Sequence, residues 1–80
     1  MDSANVLSEA AKSFRPGIYE HFKGGKYEVI GIALHSESLE EMVIYKALYG
    51  QGLTWVRPRS MFLETVVYNE KKVPRFSFVK

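Results

Sequence analysis

Residues Tyr45–Glu64, YKALYGQGLTWVRPRSMFLE, decide the fold. Leu53 and Trp55 alternate with Thr54 and Val56, the period-two pattern that predicts a strand over Leu53–Arg57. Gly50-Gln51-Gly52 turns the chain into that strand, because glycine enters the backbone conformations that tight turns need. Pro58 ends it, having no N–H to donate to a ladder. Pro58–Met61 is then expected to make a single turn of 3₁₀ type. Just upstream, Met42-Val43-Ile44-Tyr45 and Ala47-Leu48-Tyr49 are β-branched and aromatic, and favour a strand buried on both faces. Leu39, Val43 and Ala47 also fall at helical i, i+4 spacing, so a helix is the alternative there. Downstream, Phe62–Tyr68 alternates as a strand, with Leu63, Thr65 and Val67 opposite Phe62, Glu64, Val66 and Tyr68.

The flanks follow the same logic. Arg15-Pro16-Gly17 is a breaker and marks the domain entry. Ile18–Phe22 alternates and reads as a short strand. Lys23-Gly24-Gly25-Lys26 follows, and its central Gly-Gly suits a two-residue hairpin turn. These glycines do not make a phosphate loop, since the strand–loop–helix context and Walker spacing are missing. Lys26–His35 is the next strand. Its phase slips: Tyr27 and Val29 share one face, Ile30, Ile32 and Leu34 the other. A strand changes its buried face only through a bulge or bend, and Gly31 is where that is easiest. Ser36–Glu41 is polar, and Ser38 with Glu41 has the capping-box spacing that predicts one helical turn. Asn69-Glu70-Lys71-Lys72 reads as a loop. Val73–Val79 is the last strand, with Pro74 placing it at an edge, where it could pair with a second copy. At the N-terminus Ser3 is the expected cap of a short helix over Asn5–Lys12, with Val6, Leu7 and Ala10 as a thin apolar stripe.

The expected fold class is therefore all-β. Five to six short strands form either a small SH3-like barrel or a strongly bent antiparallel sheet, because short loops permit only antiparallel pairing. Residues 1–14 are a flexible or helical tail, and 15–80 are a single domain. A hydrophobic fraction of 46% with 25% charged residues excludes disorder of the whole chain. With 80 residues, most large apolar side chains must serve the core. The chain has no Cys, which excludes disulfides and thiolate chemistry and points to a reducing, cytoplasmic setting. No secretory leader or membrane span is read in it. The net charge is +2, with a sequence pI near 9.0. Residues 1–44 carry four Lys/Arg against seven Asp/Glu, and residues 45–80 carry seven against two. That bias is the kind of footprint a polyanion partner leaves.

Several separated blocks resemble a bacterial family, the domain-of-unknown-function 1653 family. They are Arg15-Pro16-Gly17-x-Tyr19-x-His21-Phe22-Lys23-Gly24, His35-Ser36-Glu37, Leu48-Tyr49, Trp55-Val56-Arg57-Pro58-x-x-Met61-Phe62-x-Glu64 and Val73-Pro74-Arg75-Phe76. They run in order from Arg15 to about Val79, so the resemblance is specific, but it implies no settled activity. More loosely, Leu53–Tyr68 looks like the end of an SH3-like barrel. The tandem Trp of peptide-binding SH3 domains is missing, since Val56 follows Trp55, so the proline-peptide groove is not carried over.

Three arrangements carry candidate chemistry. His35-Ser36-Glu37 would suit a hydrolase if another strand supplied a relay partner, but neighbours along an extended chain point to opposite faces. The plainer reading is a strand end and a turn, in which Ser bonds its own backbone. His21, His35 and the glutamates are a thin ligand set without helical H-x-x-x-H spacing, so no metal or other cofactor is expected. Arg57 and Arg59 flank Pro58. With Trp55 on the Arg57 face, and Tyr19, Tyr45 or Tyr49 near, they would form an aromatic and basic platform. The competing reading buries Trp55 in the core with the arginines at its rim. The expected function is a small binding module using Tyr19, His21, His35, Trp55, Arg57 and Arg59. Its partner is an unidentified protein or, alternatively, single-stranded nucleic acid, with the domain a monomer or weak dimer and no membrane partner.

Overall fold

The computed structural model describes residues 7–80. Their element order is α1 (Glu9–Lys12), β1 (Gly17–His21), β2 (Lys26–Leu34), β3 (Glu41–Ala47), β4 (Thr54–Pro58), α2 (Arg59–Phe62), β5 (Thr65–Tyr68), β6 (Lys71–Pro74) and β7 (Phe76–Phe78). Five strands form one antiparallel sheet in the order β4-β3-β2-β1-β7, and β5 pairs with β6 in a separate two-stranded sheet. The fold is all-β, as expected. The large sheet does not close into a barrel, and β4 and β7 are its two edges.

The phase slip in β2 is a bulge. Val29 pairs with Tyr45, but Gly31 pairs with Ile44, so Ile30 is the extra residue. It is 55% exposed, whereas Val29 is buried and Ile32 packs against the same core. The bulge therefore keeps Tyr27, Val29 and Ile32 on one face and corrects the expectation that the strand switches faces. β3 is a strand and not a helix. Val43, Tyr45 and Ala47 are buried on its inner side, and Met42 and Ile44 are half-buried on its outer side.

The core is largely aromatic. Tyr19, Val29, Val43, Tyr45, Phe62 and Phe76 are buried together, with Phe14, Tyr27 and Ile32 against them. Phe62 lies flat on Phe76 at 4.1 Å between centroids, and meets the Tyr45 and Tyr19 edges at 5.2 and 5.4 Å. Such ring pairs each contribute about 0.5–1.5 kcal/mol beyond the area they bury.

Several local expectations are corrected. The β1–β2 connection is a three-residue turn, Phe22–Gly24, closed by Gly24 N–H to the His21 carbonyl and His21 N–H to the Gly25 carbonyl. Ser38 and Glu41 make no capping box. Ser38 Oγ accepts the Glu40 amide, while the Glu41 carboxylate binds the Ser8 amide and hydroxyl and Arg59 Nε. Pro58 pairs with Met42 at the end of β4, and the single turn after it is α-helical and runs to Phe62. Phe62 thus enters the core from α2 and not from a strand. Asn69 and Glu70 alone form the turn between β5 and β6, both with positive φ. The last expected strand is two strands in different sheets, separated at Arg75, whose amide bonds the Glu64 carbonyl. Ser8 caps α1, and Ala11 is buried on it. The expected cap Ser3, with Asn5 and Val6, lies outside the described residues.

Candidate functional site

Strand pairing decides which side chains meet. Opposed residues of an antiparallel pair share a face. Tyr45 is opposite Trp55 and Val43 is opposite Arg57, so Trp55 and Arg57 stand on the inner, core-bearing face at its β4 rim. Phe62 covers Tyr45, but among the described residues no aromatic ring or cation stacks on Trp55. Trp55 is consequently 50% exposed.

Arg57 does not lie on the indole. Its Nε donates to the Tyr45 hydroxyl at 3.4 Å. The rim continues through rings: Tyr45 meets Tyr27 at 5.4 Å, and Tyr27 meets Tyr49 at 5.4 Å. The Tyr27 and Tyr49 hydroxyls share a hydrogen bond. Burial, and then that bond, push the Tyr27 phenol up to about 12. Tyr49 is 54% exposed. A Cβ on Gly25 (φ +88°) would come within 3.2 Å of the Tyr49 ring, so this glycine lets the ring lie against the β1–β2 turn.

His21 packs edge-on against Phe76 at 4.9 Å and tilted against Phe22 at 4.5 Å. Its Nδ1 accepts the Lys23 amide at 3.2 Å, which leaves Nε2 to carry the proton of the neutral ring. Burial, with the nearby charges of Arg75, Arg57 and Lys23, holds its pKa below the ordinary histidine value. Arg75 is itself neutralised by Glu64, with Nη2 to Oε2 at 2.5 Å.

The family model for a protein of unknown function, DUF1653, matches residues 17–78. The chain belongs to the DUF1653 family. The domain is also similar to the crystal structure of a DUF1653 protein from Bordetella bronchiseptica, with 39% identity and a TM-score of 0.81, covering 88% of this chain and 92% of that chain. No curated protein matches it.

In this DUF1653 domain the residues singled out in the sequence fall in different places. Trp55 and Arg57 lie on the inner face at edge strand β4, and His21 lies on β1, with β3 and β2 between them. Tyr19 lies in the core, where its hydroxyl donates to the Arg15 carbonyl at 2.8 Å. Arg59 is ion-paired with Glu41 at 2.9 Å. Tyr19 and Arg59 border a cleft of about 470 Å³ with Phe14, Arg15, Leu63 and Glu64. His21 borders a second cleft, of about 340 Å³, with Phe22, Tyr68 and Pro74. His35 is exposed in the β2–β3 turn, where its Nδ1 accepts the Glu37 and Ser38 amides at 3.2 and 3.3 Å. That nitrogen serves the turn and is not aimed at the Ser36 hydroxyl. Tyr27 and Arg75 were not singled out. The signals for them were slight: Tyr27 keeps phase with Val29, and Arg75 immediately precedes Phe76.

Among the described residues no three His, Cys, Asp or Glu gather as a metal site would need. Among them, too, no helix is long and apolar enough to cross a membrane.

Proposed function

We propose that this DUF1653 domain is a binding module whose contact face is the Trp55–Arg57 rim of the inner sheet face. The observation that carries the reading is Trp55, half exposed on the face whose other large rings form the core. A large indole left open beside an arginine is the composition of a contact hot spot. The test is capture from a cell lysate on the immobilised domain, comparing wild type with Trp55→Ala, Arg57→Ala and the outer-face control Lys46→Ala. The expected result is a bound species lost with Trp55→Ala and Arg57→Ala and kept with Lys46→Ala. Equal capture by all four proteins would remove this face from the reading.

A second reading is single-stranded nucleic acid. It is favoured by the basic pI and by Arg57, which has no carboxylate partner among the described residues. Exposed rings that stack bases beside cations that meet the backbone are the usual means of such binding. An amide NMR titration with mixed-sequence single-stranded RNA tests it. Shifts should cluster on Trp55–Arg59 and fade as salt is added. An unchanged spectrum at low salt would dismiss it.

A further inference from the structure

The four arginines are used differently. Arg59 and Arg75 are bound to Glu41 and Glu64. The Arg15 guanidinium lies over the Phe78 ring at 3.7 Å. Arg57 has neither kind of partner among the described residues, and its one hydrogen bond there is the long contact from Nε to the Tyr45 hydroxyl. Among the described residues the two Nη groups of its fork, the part of arginine that matches a phosphate, have no partner.

Two core rings, Tyr45 and Phe76, link this arginine to His21 on β1. Tyr45 packs against Phe76 at 5.5 Å, and His21 packs against the same Phe76 ring at 4.9 Å. With Nδ1 occupied by the Lys23 amide, His21 has an Nε2–H to offer. Burial first, and then the nearby cations, keep the pKa of this half-buried histidine low, and among the described residues no carboxylate pairs with it, so an anion placed there would favour its charged form. Trp55 stands opposite Tyr45 and beside Arg57 on the same strand face, offering a half-exposed ring.

We propose that Arg57 and the Nε2–H of His21 hold one phosphate group of a nucleotide, whose base stacks on Trp55. This rests on the binding-module reading and names its ligand class. The shared chemistry is a phosphate beside a planar base, supplied by a free nucleotide or by one unit of a single strand. The Tyr45 hydroxyl, already accepting from Arg57, sets the reach of the guanidinium. No bond is made or broken.

The test uses the full chain, isotope-labelled for NMR, with four probes: uridine, inorganic phosphate, uridine 5′-monophosphate and a short oligouridylate. Trp55 fluorescence reports the base, and the His21 ring resonances report the phosphate. Uridine 5′-monophosphate or the oligouridylate should quench Trp55 and raise the His21 titration midpoint together. Uridine should bind at least about tenfold more weakly, and phosphate should move His21 alone. Comparable affinities for monomer and oligomer would assign the site to a free nucleotide. Clearly tighter binding of the oligomer would assign it to a strand. Arg57→Ala should weaken binding about tenfold or more, and Arg57→Lys should fall between, because it keeps the charge and loses the fork. Amide spectra of both variants check that they fold. Uridine binding as tightly as its monophosphate, or Trp55 quenching with His21 unmoved, would overturn the phosphate subsite and leave the binding face standing. No response to any probe, with lysate capture still dependent on Trp55, would also overturn the nucleotide proposal. Loss of both responses would end the binding reading as well.

Discussion

Phe62 is the last residue of a four-residue helix, yet its ring meets Phe14, Tyr19, Tyr45 and Phe76. It is fully buried. Truncating such a ring removes its burial and leaves a cavity that fixed neighbours cannot fill. Phe62→Ala is expected to destabilise the domain by about 3–5 kcal/mol, and Trp55→Ala by no more than about 1 kcal/mol. Chemical denaturation of the two variants measures the contrast. Equal losses would mean that Trp55 carries core weight that its exposure does not show. Nothing local in the sequence separates these two residues, since each is a large aromatic near the Arg-Pro-Arg step. The difference comes from where the chain goes after Pro58. The α2 turn carries Phe62 back over Tyr45 and leaves Trp55 half exposed, a consequence of tertiary path that periodicity does not encode.

At the scale of elements, alternation and glycines made much of the sheet legible. The β2 irregularity was readable because Val29 and Ile32 cannot both face inward without an extra residue. The direction of its consequence was not, because a bulge can preserve a face as well as change it. The connection after Tyr68 is shorter than the loop its sequence suggests, for a chemical reason. Asn69-Glu70 forms a two-residue turn with φ of 53° and 65°, where Asn-Gly is the familiar signal. Glu70 therefore holds a left-handed conformation that disfavours a side chain with a Cβ. Glu70→Gly should relieve that strain, partly offset by the greater freedom of glycine in the unfolded chain. A net gain of about 0.5–1 kcal/mol, seen as a higher thermal midpoint, is expected. A lower midpoint would show that the turn is not strained at this position. The break at Arg75 was hidden because Val73, Phe76 and Phe78 read as one apolar run. Only the Arg75 amide bond to Glu64 and the division into two sheets separate them.

For the whole molecule, two titrating groups tie distant parts of the chain together, and both act in the same direction. Glu41 on β3 receives the Ser8 amide and hydroxyl and Arg59 Nε, so it joins α1 and α2 to the sheet. The Ser8 amide first, then Arg59 and the Ser8 hydroxyl, hold its pKa below 4.5. His21 joins the β1–β2 turn to Phe76 on β7, and burial with three neighbouring cations holds its pKa below 6.5. In each case the folded state binds its proton less readily than the unfolded state does. Each contribution is therefore complete above the unfolded pKa and is lost as pH falls towards and through the lowered folded value. Stability should hold steady from neutral pH down to about 6.5, decline as His21 is forced to take a proton, and decline again below about 4.5 as Glu41 does. Thermal unfolding followed by circular dichroism across that range tests the order. His21→Gln should flatten the first decline and leave the second. Glu41→Gln should flatten the second, and amide exchange should then show the Ala11 and Lys12 amides of α1 opening faster, because the carboxylate clasp on Ser8 has gone. A first decline that survives His21→Gln would assign it to another group and remove the histidine from the acid response. The same histidine would be the one charged by a bound phosphate, so saturating uridine 5′-monophosphate should shrink the first decline, because a raised folded pKa narrows its gap to the unfolded value. Binding would then supply the anion that makes the protonated ring tolerable in the fold.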